Sequence, residues 1–263
     1  MNSDSYVTIV PIYKAHPSKA DVFALLQLRA LDIKNVILMC PEGLDLQVYF
    51  NLWPDLLVER FESKHFLSVQ TYNNLMLDAA FYERFSPQYE WMLISQPDAF
   101  LFSNQISHFC SLGYDYYGAP WLKGFPKYRF LFNRWPIRIN PGRFYVGNGG
   151  LSLRKLNSTI DLLHRRKNHM SKTFFMEDVF FGYWGSRDRH FHACPADIGA
   201  AFSCETFPEY WIKLTGKFPM GTHNFEREVK EWGAVFFRPT LQTHYANLLK
   251  SFPQLASYGE TWL

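Results

Sequence analysis

YVTIVPIYKAHPSKADVFALLQLRALDIKNVILMC (Tyr6–Cys40) reads as strand, helix, strand. Tyr6–Ile12 is a β-branched apolar run of the kind that fills a buried strand. Lys19–Leu31 carries helical periodicity and opens after Pro17 and Ser18, residues suited to a helix start. Asn35–Cys40 is a second apolar strand, stopped by Pro41. The alternation continues outward: a short helix over Leu44–Leu52, a strand over Leu56–Phe61, a long helix over Val69–Phe85 halted by Ser86-Pro87, and a buried strand over Glu90–Ser95. Strands alternating with helices predict an α/β layer whose central sheet is mostly parallel and flanked by helices. Such sheets bind ligands beyond the carboxyl ends of their strands. Asp98 falls just past one of those ends.

The chain has 263 residues, enough for one large domain with a sizeable core. Hydrophobic residues make up 48%, which excludes a disordered polar chain, and aromatics make up 18%, beyond what core filling asks for, so some rings are expected to line a groove. Net charge is +3, but Tyr116–Ile160 holds no acid and eight bases: Lys123, Lys127, Arg129, Arg134, Arg138, Arg143, Arg154 and Lys155. That segment alone is +8, a field that attracts anions such as phosphates or lipid headgroups. Cys40, Cys110, Cys194 and Cys204 lack metal-ligand spacing and are expected to be reduced and mostly buried, as in a cytoplasmic protein. The start of the chain has no basic, apolar leader, and no window is apolar enough to span a bilayer. Gly113–Pro141 is rich in aromatics, Pro and Arg and reads as a long excursion, His190–Ala193 as a strand, Pro208–Leu214 as short helix, and Thr240–Leu263 as an exposed tail.

Four stretches could carry chemistry. In WMLISQPDAFLF (Trp91–Phe102) a strand delivers Asp98 onto a loop. One carboxylate and one further ligand suffice for a hard cation when a diphosphate supplies the remaining oxygens. The plain alternative is an Asp that caps the next turn. In YVGNGGLSLR (Tyr145–Arg154) glycines free the backbone for close approach ahead of a strand; a tight hairpin explains them equally. In MEDVFFG (Met176–Gly182) Glu177 and Asp178 head an apolar turn, as a base beside a ligand or as an ordinary helix start. In PMGTHNF (Pro219–Phe225) His223 can ligate a metal, bond a phosphate or simply be a satisfied histidine. Singly, each loses to its plain alternative, and their order along an α/β frame is what gives them weight.

That order resembles GT-A glycosyltransferases. The blocks SVQTYNNLMLDAAFYERF, YEWMLISQPDAFLF, YDYYGAPW, YVGNGGLSLR, MEDVFFG and PMGTHNF, spanning Val69 to Phe225, are similar to an uncharacterised glycosyltransferase-like family of bacterial and fungal proteins. The pair GGLSLR and EDVFFG also resembles inverting β-1,3- and β-1,4-galactosyl- or N-acetylglucosaminyltransferases. The resemblance implies one GT-A-like domain over residues 1–239, with a nucleotide-binding half (1–112) and an acceptor and catalytic half (113–239) that carries a basic aromatic loop (116–143), followed by the tail 240–263. It implies a nucleotide-sugar donor, a UDP-sugar in the first instance, and a saccharide or lipid-linked saccharide acceptor. Asp98 matches the last Asp of a DxD motif that holds Mn²⁺ or Mg²⁺, with Gln96 where the first Asp would stand, a departure that weakens metal dependence. His223 matches the late metal ligand. Asn148, Gly149 and Gly150 match the turn against the donor, Asp178 the catalytic base, and Glu177 a residue that orients substrate.

KGFPKYRFLFNRWPIRINPGR (Lys123–Arg143) interleaves cations with rings and suits an acceptor or an anionic membrane surface first, a solvated loop second and single-stranded nucleic acid last. The chain is therefore read as a cytoplasmic enzyme with peripheral membrane contact and no nucleic-acid partner. The competing class is a non-catalytic sugar- or nucleotide-binding protein of the same fold.

Overall fold

A computed structural model describes residues 5–126, 143–173, 176–225 and 237–258. Along the chain run β1 (Tyr6–Pro11), α1 (Lys19–Ala30), β2 (Val36–Pro41), α2 (Gln47–Leu52), β3 (Leu57–Phe61), α3 (Val69–Met76), α4 (Ala79–Glu83), β4 (Trp91–Ser95), β5 (Ala99–Leu101), α5 (Ile106–Cys110), β6 (Tyr116–Tyr117), β7 (Pro120–Pro126) and β8 (Arg143–Val146). Then follow β9 (Leu151–Lys155), α6 (Leu156–Thr173), α7 (Glu177–Gly185), α8 (Ala196–Phe202), β10 (Ser203–Cys204), α9 (Pro208–Thr215), β11 (Gly221–His223) and α10 (Phe237–Ser251).

Six strands form the central sheet in the order β3-β2-β1-β4-β9-β6. The first four are parallel, and β9 runs antiparallel to both β4 and β6. The α/β expectation is met, and one contiguous core runs through the sheet and its helices. From β1 the chain winds outward to β2 and β3 and then returns to place β4 on the other side of β1. The strand order therefore reverses between β1 and β4, and a crevice opens at the carboxyl ends of that pair. A second, three-stranded sheet, β10-β11-β5, sets β11 antiparallel to β5 with His223 opposite Ala99. This pairing carries His223 to the turn that follows β4.

Local chemistry explains the boundaries. Ser18 and Asp21 form a reciprocal capping box that starts α1. The single helix expected over Val69–Phe85 is instead two. Asp78 accepts a hydrogen bond from the Ala80 amide (3.1 Å) and acts as a fresh N-cap, so α3 ends at Met76 and α4 begins at Ala79.

Further differences concern the second half. The excursion expected from Gly113 instead begins with ordered strands: β6 joins the central sheet, and β7 pairs with β8. Of its bases, Lys127, Arg129, Arg134 and Arg138 lie outside the described residues, as does the side chain of Arg143. Arg154 is fully buried and so adds nothing to an open positive field, and the partly exposed Lys155 lies 3.6 Å from Glu90. His190–Ala193 makes a single bridge, Tyr116 to Ala193, because its two-residue neighbour β6 offers no longer ladder. All four cysteines are free and buried. Among the described residues no helix is long and apolar enough to cross a membrane.

The segment from Thr240 is not an exposed tail. It forms most of α10, which packs on α1 and buries Leu241, Tyr245 and Leu248. Gln27, buried in α1, donates to the Leu101 carbonyl and lies 3.1 Å from His244 Nδ1, and Arg29 stacks on Phe252. Leu241→Ala should accordingly cost about 2–5 kcal/mol in urea unfolding. A loss within about 0.5 kcal/mol, the range for exposed positions, would return this segment to the status of a tail.

Candidate active site

The β4 strand ends at Ser95 and the chain turns through Gln96, Pro97 and Asp98, with the Ala99 amide donating to the Gln96 carbonyl. The Gln96 amide donates to the Gly150 carbonyl (2.8 Å), tying this turn to the glycine turn before β9. His223 closes the group. Its Nε2 lies 3.1 Å from Gln96 Oε1 and 3.3 Å from Asp98 Oδ1, and its Nδ1 lies 3.2 Å from Glu205 Oε1. Glu205 Oε2 accepts from Asn148 Nδ2 (2.6 Å), and Asn148 Oδ1 accepts from the Gly150 amide (3.0 Å). Asn148 holds this position at φ 67°, a left-handed conformation that Asn tolerates better than most residues.

Burial by itself would push the His223 imidazolium down. The hydrogen bonds and charges of Asp98 and Glu205 outweigh burial and raise its pKa to about 10. Burial would likewise raise Asp98, but the bond and charge of His223 hold that carboxyl below its ordinary value.

The glycines of the turn are explained by protein atoms. A Cβ at Gly149 would sit 1.6 Å from Glu177 Oε1, and one at Gly150 would sit 2.1 Å from His223 Nε2. Glu177 and Asp178 open α7. Glu177 is 3% exposed; its amide donates to Asn73 Oδ1, and its Oε1 accepts from Arg154 Nη2 at 3.1 Å. So enclosed, Glu177 has no open surface from which to orient a substrate. Asp178 is half-buried, and its Oδ1 accepts from the Val179 amide (2.7 Å). Burial, and then the adjacent Glu177 charge, raise the Asp178 pKa to about 7, with Glu205 adding to the rise and Arg154 opposing it. A carboxylate titrating near neutral pH suits proton transfer.

A cleft of about 660 Å³ opens at the β1/β4 crevice. Its lining includes Tyr13 and Lys14 after β1, Leu67, Val69 and Tyr72 at the start of α3, and the turn from Gln96 to Asp98. Tyr13, Leu67 and Val69 are 59%, 77% and 78% exposed and give the cleft an apolar part of its lining.

The predicted site residues thus fall in one connected region: Gln96, Asp98, Asn148, Gly150 and His223 in one hydrogen-bonded group, Gly149 in the same turn against Glu177, and Asp178 beside it. Glu205 and Arg154 belong to it too. Glu205 lies in FSCETF, where no motif marks it, and its partners come from 57 and 18 residues away. Arg154 stands inside the quoted GGLSLR, where its charge suggested solvent.

No cluster of three or more His, Cys, Asp or Glu side chains suited to a metal occurs among the described residues. The donor set is one carboxylate, one imidazole and one amide: Asp98 Oδ1 and Gln96 Oε1 lie 3.3 and 3.1 Å from His223 Nε2, with Glu205 beside the far ring nitrogen. The metal-free ring is an imidazolium, so once His223 Nε2 gives up its proton that set fits a divalent cation which would draw its remaining oxygens from a diphosphate.

Residues 55–223 match the model of a family described as "Protein of unknown function (DUF5672)". The chain belongs to that family. No curated protein matches it in sequence. Among solved structures, an active-site mutant of LgtC is 12% identical over 91% of this chain and 95% of its own, with a TM-score of 0.52. Galactosyltransferase LgtC in complex with donor and acceptor sugar analogues is 12% identical over 90% and 95%, with a TM-score of 0.51. Mouse xyloside xylosyltransferase 1 in its apo form is 13% identical over 83% and 96%, with a TM-score of 0.47. The fold of this DUF5672 protein is the GT-A fold in a single domain, as the resemblance implied.

The charge arrangement around His223 has a stability consequence. A folded pKa of about 10 against an ordinary 6.5 makes the imidazolium's contribution complete below about pH 6.5 and lost as pH rises through about 10. In chelator, the melting-temperature advantage of the wild type over His223→Gln should shrink across that window. A constant difference would remove the Asp98–His223–Glu205 charge group.

Proposed function

We propose that this protein is a glycosyltransferase that moves a sugar from a nucleotide-sugar, a UDP-sugar in the first instance, to a saccharide or lipid-linked saccharide acceptor with inversion at the anomeric carbon. The observation that carries this reading is the position of the cleft. It lies at the strand-order reversal between β1 and β4, and its Gln96–Asp98 turn joins directly to the group that neighbours Asp178. Residues 1–112 would hold the nucleotide, with Tyr13 offering a ring to the base and Lys14 a cation to the diphosphate. Residues 113–239 would supply the acceptor side. A lipid-linked acceptor would bring the protein to an anionic membrane surface.

In this reading Asp178 takes the proton of the acceptor hydroxyl as that oxygen bonds to C1 of the donor sugar. The C1–O bond to the diphosphate breaks, and its electron pair leaves with the nucleoside diphosphate. Glu177 serves by position, since its carboxylate is enclosed. Asp98, His223 and Gln96 would hold a divalent ion, Mn²⁺ or Mg²⁺, which when bound neutralises charge on the departing diphosphate. A non-catalytic sugar- or nucleotide-binding role is the second reading, and the neutral Gln96 in that donor set favours it.

Asp178→Asn should lower transfer about 10²–10⁴-fold while leaving donor binding in place, read by nucleoside diphosphate release over a panel of donors. The base acts deprotonated, so wild-type kcat should rise with pH through about 7. Full transfer by the variant would remove Asp178 as the base. Exhaustive chelation should slow turnover and Mn²⁺ should restore it; turnover indifferent to chelator would remove Asp98 and His223 as metal ligands.

A further inference from the structure

Arg154 has no exposed surface at all, and its fork is committed on every side. Nε and Nη2 donate to Ser152 Oγ (3.2 and 3.0 Å), Nη1 to the Tyr82 hydroxyl, and Nη2 also to Glu177 Oε1 (3.1 Å). The guanidinium carbon lies 4.8 Å from the centre of the Phe181 ring. Glu177 and Phe181 are one helical turn apart on one face of α7, so Arg154 grips that helix at two points. Asn73 holds the Glu177 amide from the other side, and Gly149 leaves room for the Glu177 carboxylate.

Stability does not account for such a pair. Replacing a buried ion pair by apolar side chains of similar volume is often neutral or stabilising. A lysine could not reach Ser152, Tyr82 and Glu177 together, whereas the planar fork does. What the pair adds is rotational control of α7. Arg154 sits on β9 opposite Met92 of β4, and β4 leads directly to Asp98. The helix that begins with Glu177-Asp178 is thereby registered against the strand that leads to the cleft. We infer that Arg154 is a positioning residue for Asp178, clamping the first turn of α7 through Glu177 and Phe181 so that the Asp178 carboxylate faces the acceptor hydroxyl.

The catalytic half of this inference rests on the transferase reading; the clamp does not, and the test separates the two. The charged and titratable groups around Asp178 are Glu177 on its own helix, Arg154 from β9, Glu205 from the segment after β10 and the Tyr116 phenol from β6, with Tyr72 of α3 acting on Glu177. Carboxyl ¹³C NMR of Asp178 should be titrated in the full-length wild type, Arg154→Met, Glu177→Gln and the double variant. Arg154→Met leaves the Glu177 charge unopposed and should move the Asp178 midpoint up by about one pH unit. Glu177→Gln should move it down, and the double variant should return it toward the wild-type value. In transfer assays Arg154→Met should lose about 100-fold in kcat with the donor KM held, the signature of a misplaced base. Midpoints unmoved in both single variants, alongside a fallen melting temperature, would make Arg154 a structural strut and overturn the inference. Should Arg154→Met fail to fold, Glu177→Gln decides: no downward shift overturns it. Absence of transfer by the wild type with every donor would sink the transferase reading while the NMR shifts still judge the clamp.

Discussion

The glycine turn is fixed by what it must not carry. Methyl groups at Gly149 and Gly150 would occupy the places of a Glu177 oxygen and a His223 nitrogen. Because both positions are bare, a carboxylate from α7 and an imidazole from β11 press against the same few backbone atoms. The turn's amide and carbonyl groups reach further: Gly150 accepts from the Gln96 amide and donates to Asn148 Oδ1. One short segment therefore sets the spacing between the end of β4, the start of α7 and the strand that delivers His223. Each element reaches this point from a different part of the chain, and a displacement of the turn would be felt by all of them.

The site is also a balance of buried charge. Glu177 is countered by Arg154, and Asp98 and Glu205 by the imidazolium between them. Removing one partner of the enclosed Glu177–Arg154 pair would cost several kcal/mol, although an apolar pair of similar volume could serve stability as well; Asp98 keeps nearly half its side chain exposed, and its pairing is worth less. Among the described residues Asp178 has no ion-pair partner. Its Oδ1 takes an amide of its own helix, and two carboxylates lie close enough to raise its pKa. By burial first and then by these charges its pKa is raised to about 7 while its neighbours are paired with cations, and in the transferase reading that divergence of environments would suit Asp178 to act as the base.

How much of this was legible in the sequence depended on whether the signal was local. Strands such as Val36–Pro41 declare themselves by continuous apolar runs, and α1 by its caps and period. The break at Asp78 was legible only to a reader who weighed an N-cap against an unbroken apolar stripe. The terminal helix left a trace as well: Leu241, Tyr245 and Leu248 follow helical spacing, hidden beside polar neighbours and a position near the chain's end. Glu205 had no such trace, because its importance comes from partners distant in sequence. Arg154 misled in the opposite way. Seven further bases share its acid-free stretch, so its charge suggested solvent, whereas a carboxylate 23 residues on draws it into the interior.

A donor diphosphate approaching the cleft would meet Asp98, a carboxylate held ionised by His223. Two anions at that distance repel unless a cation stands between or beside them. The imidazolium serves Asp98 and Glu205 already, so it cannot neutralise the diphosphate in full. Lys14 also lines the cleft and is one further cation there, and a divalent ion on Asp98, with His223 deprotonated to bind it, would be another. In the transferase reading, Gln96 in the place of the first acid of a DxD motif would lower the negative charge that any such cation must offset. In that reading, a neutral amide at that point would shift the electrostatic balance toward accepting the diphosphate with less help from metal.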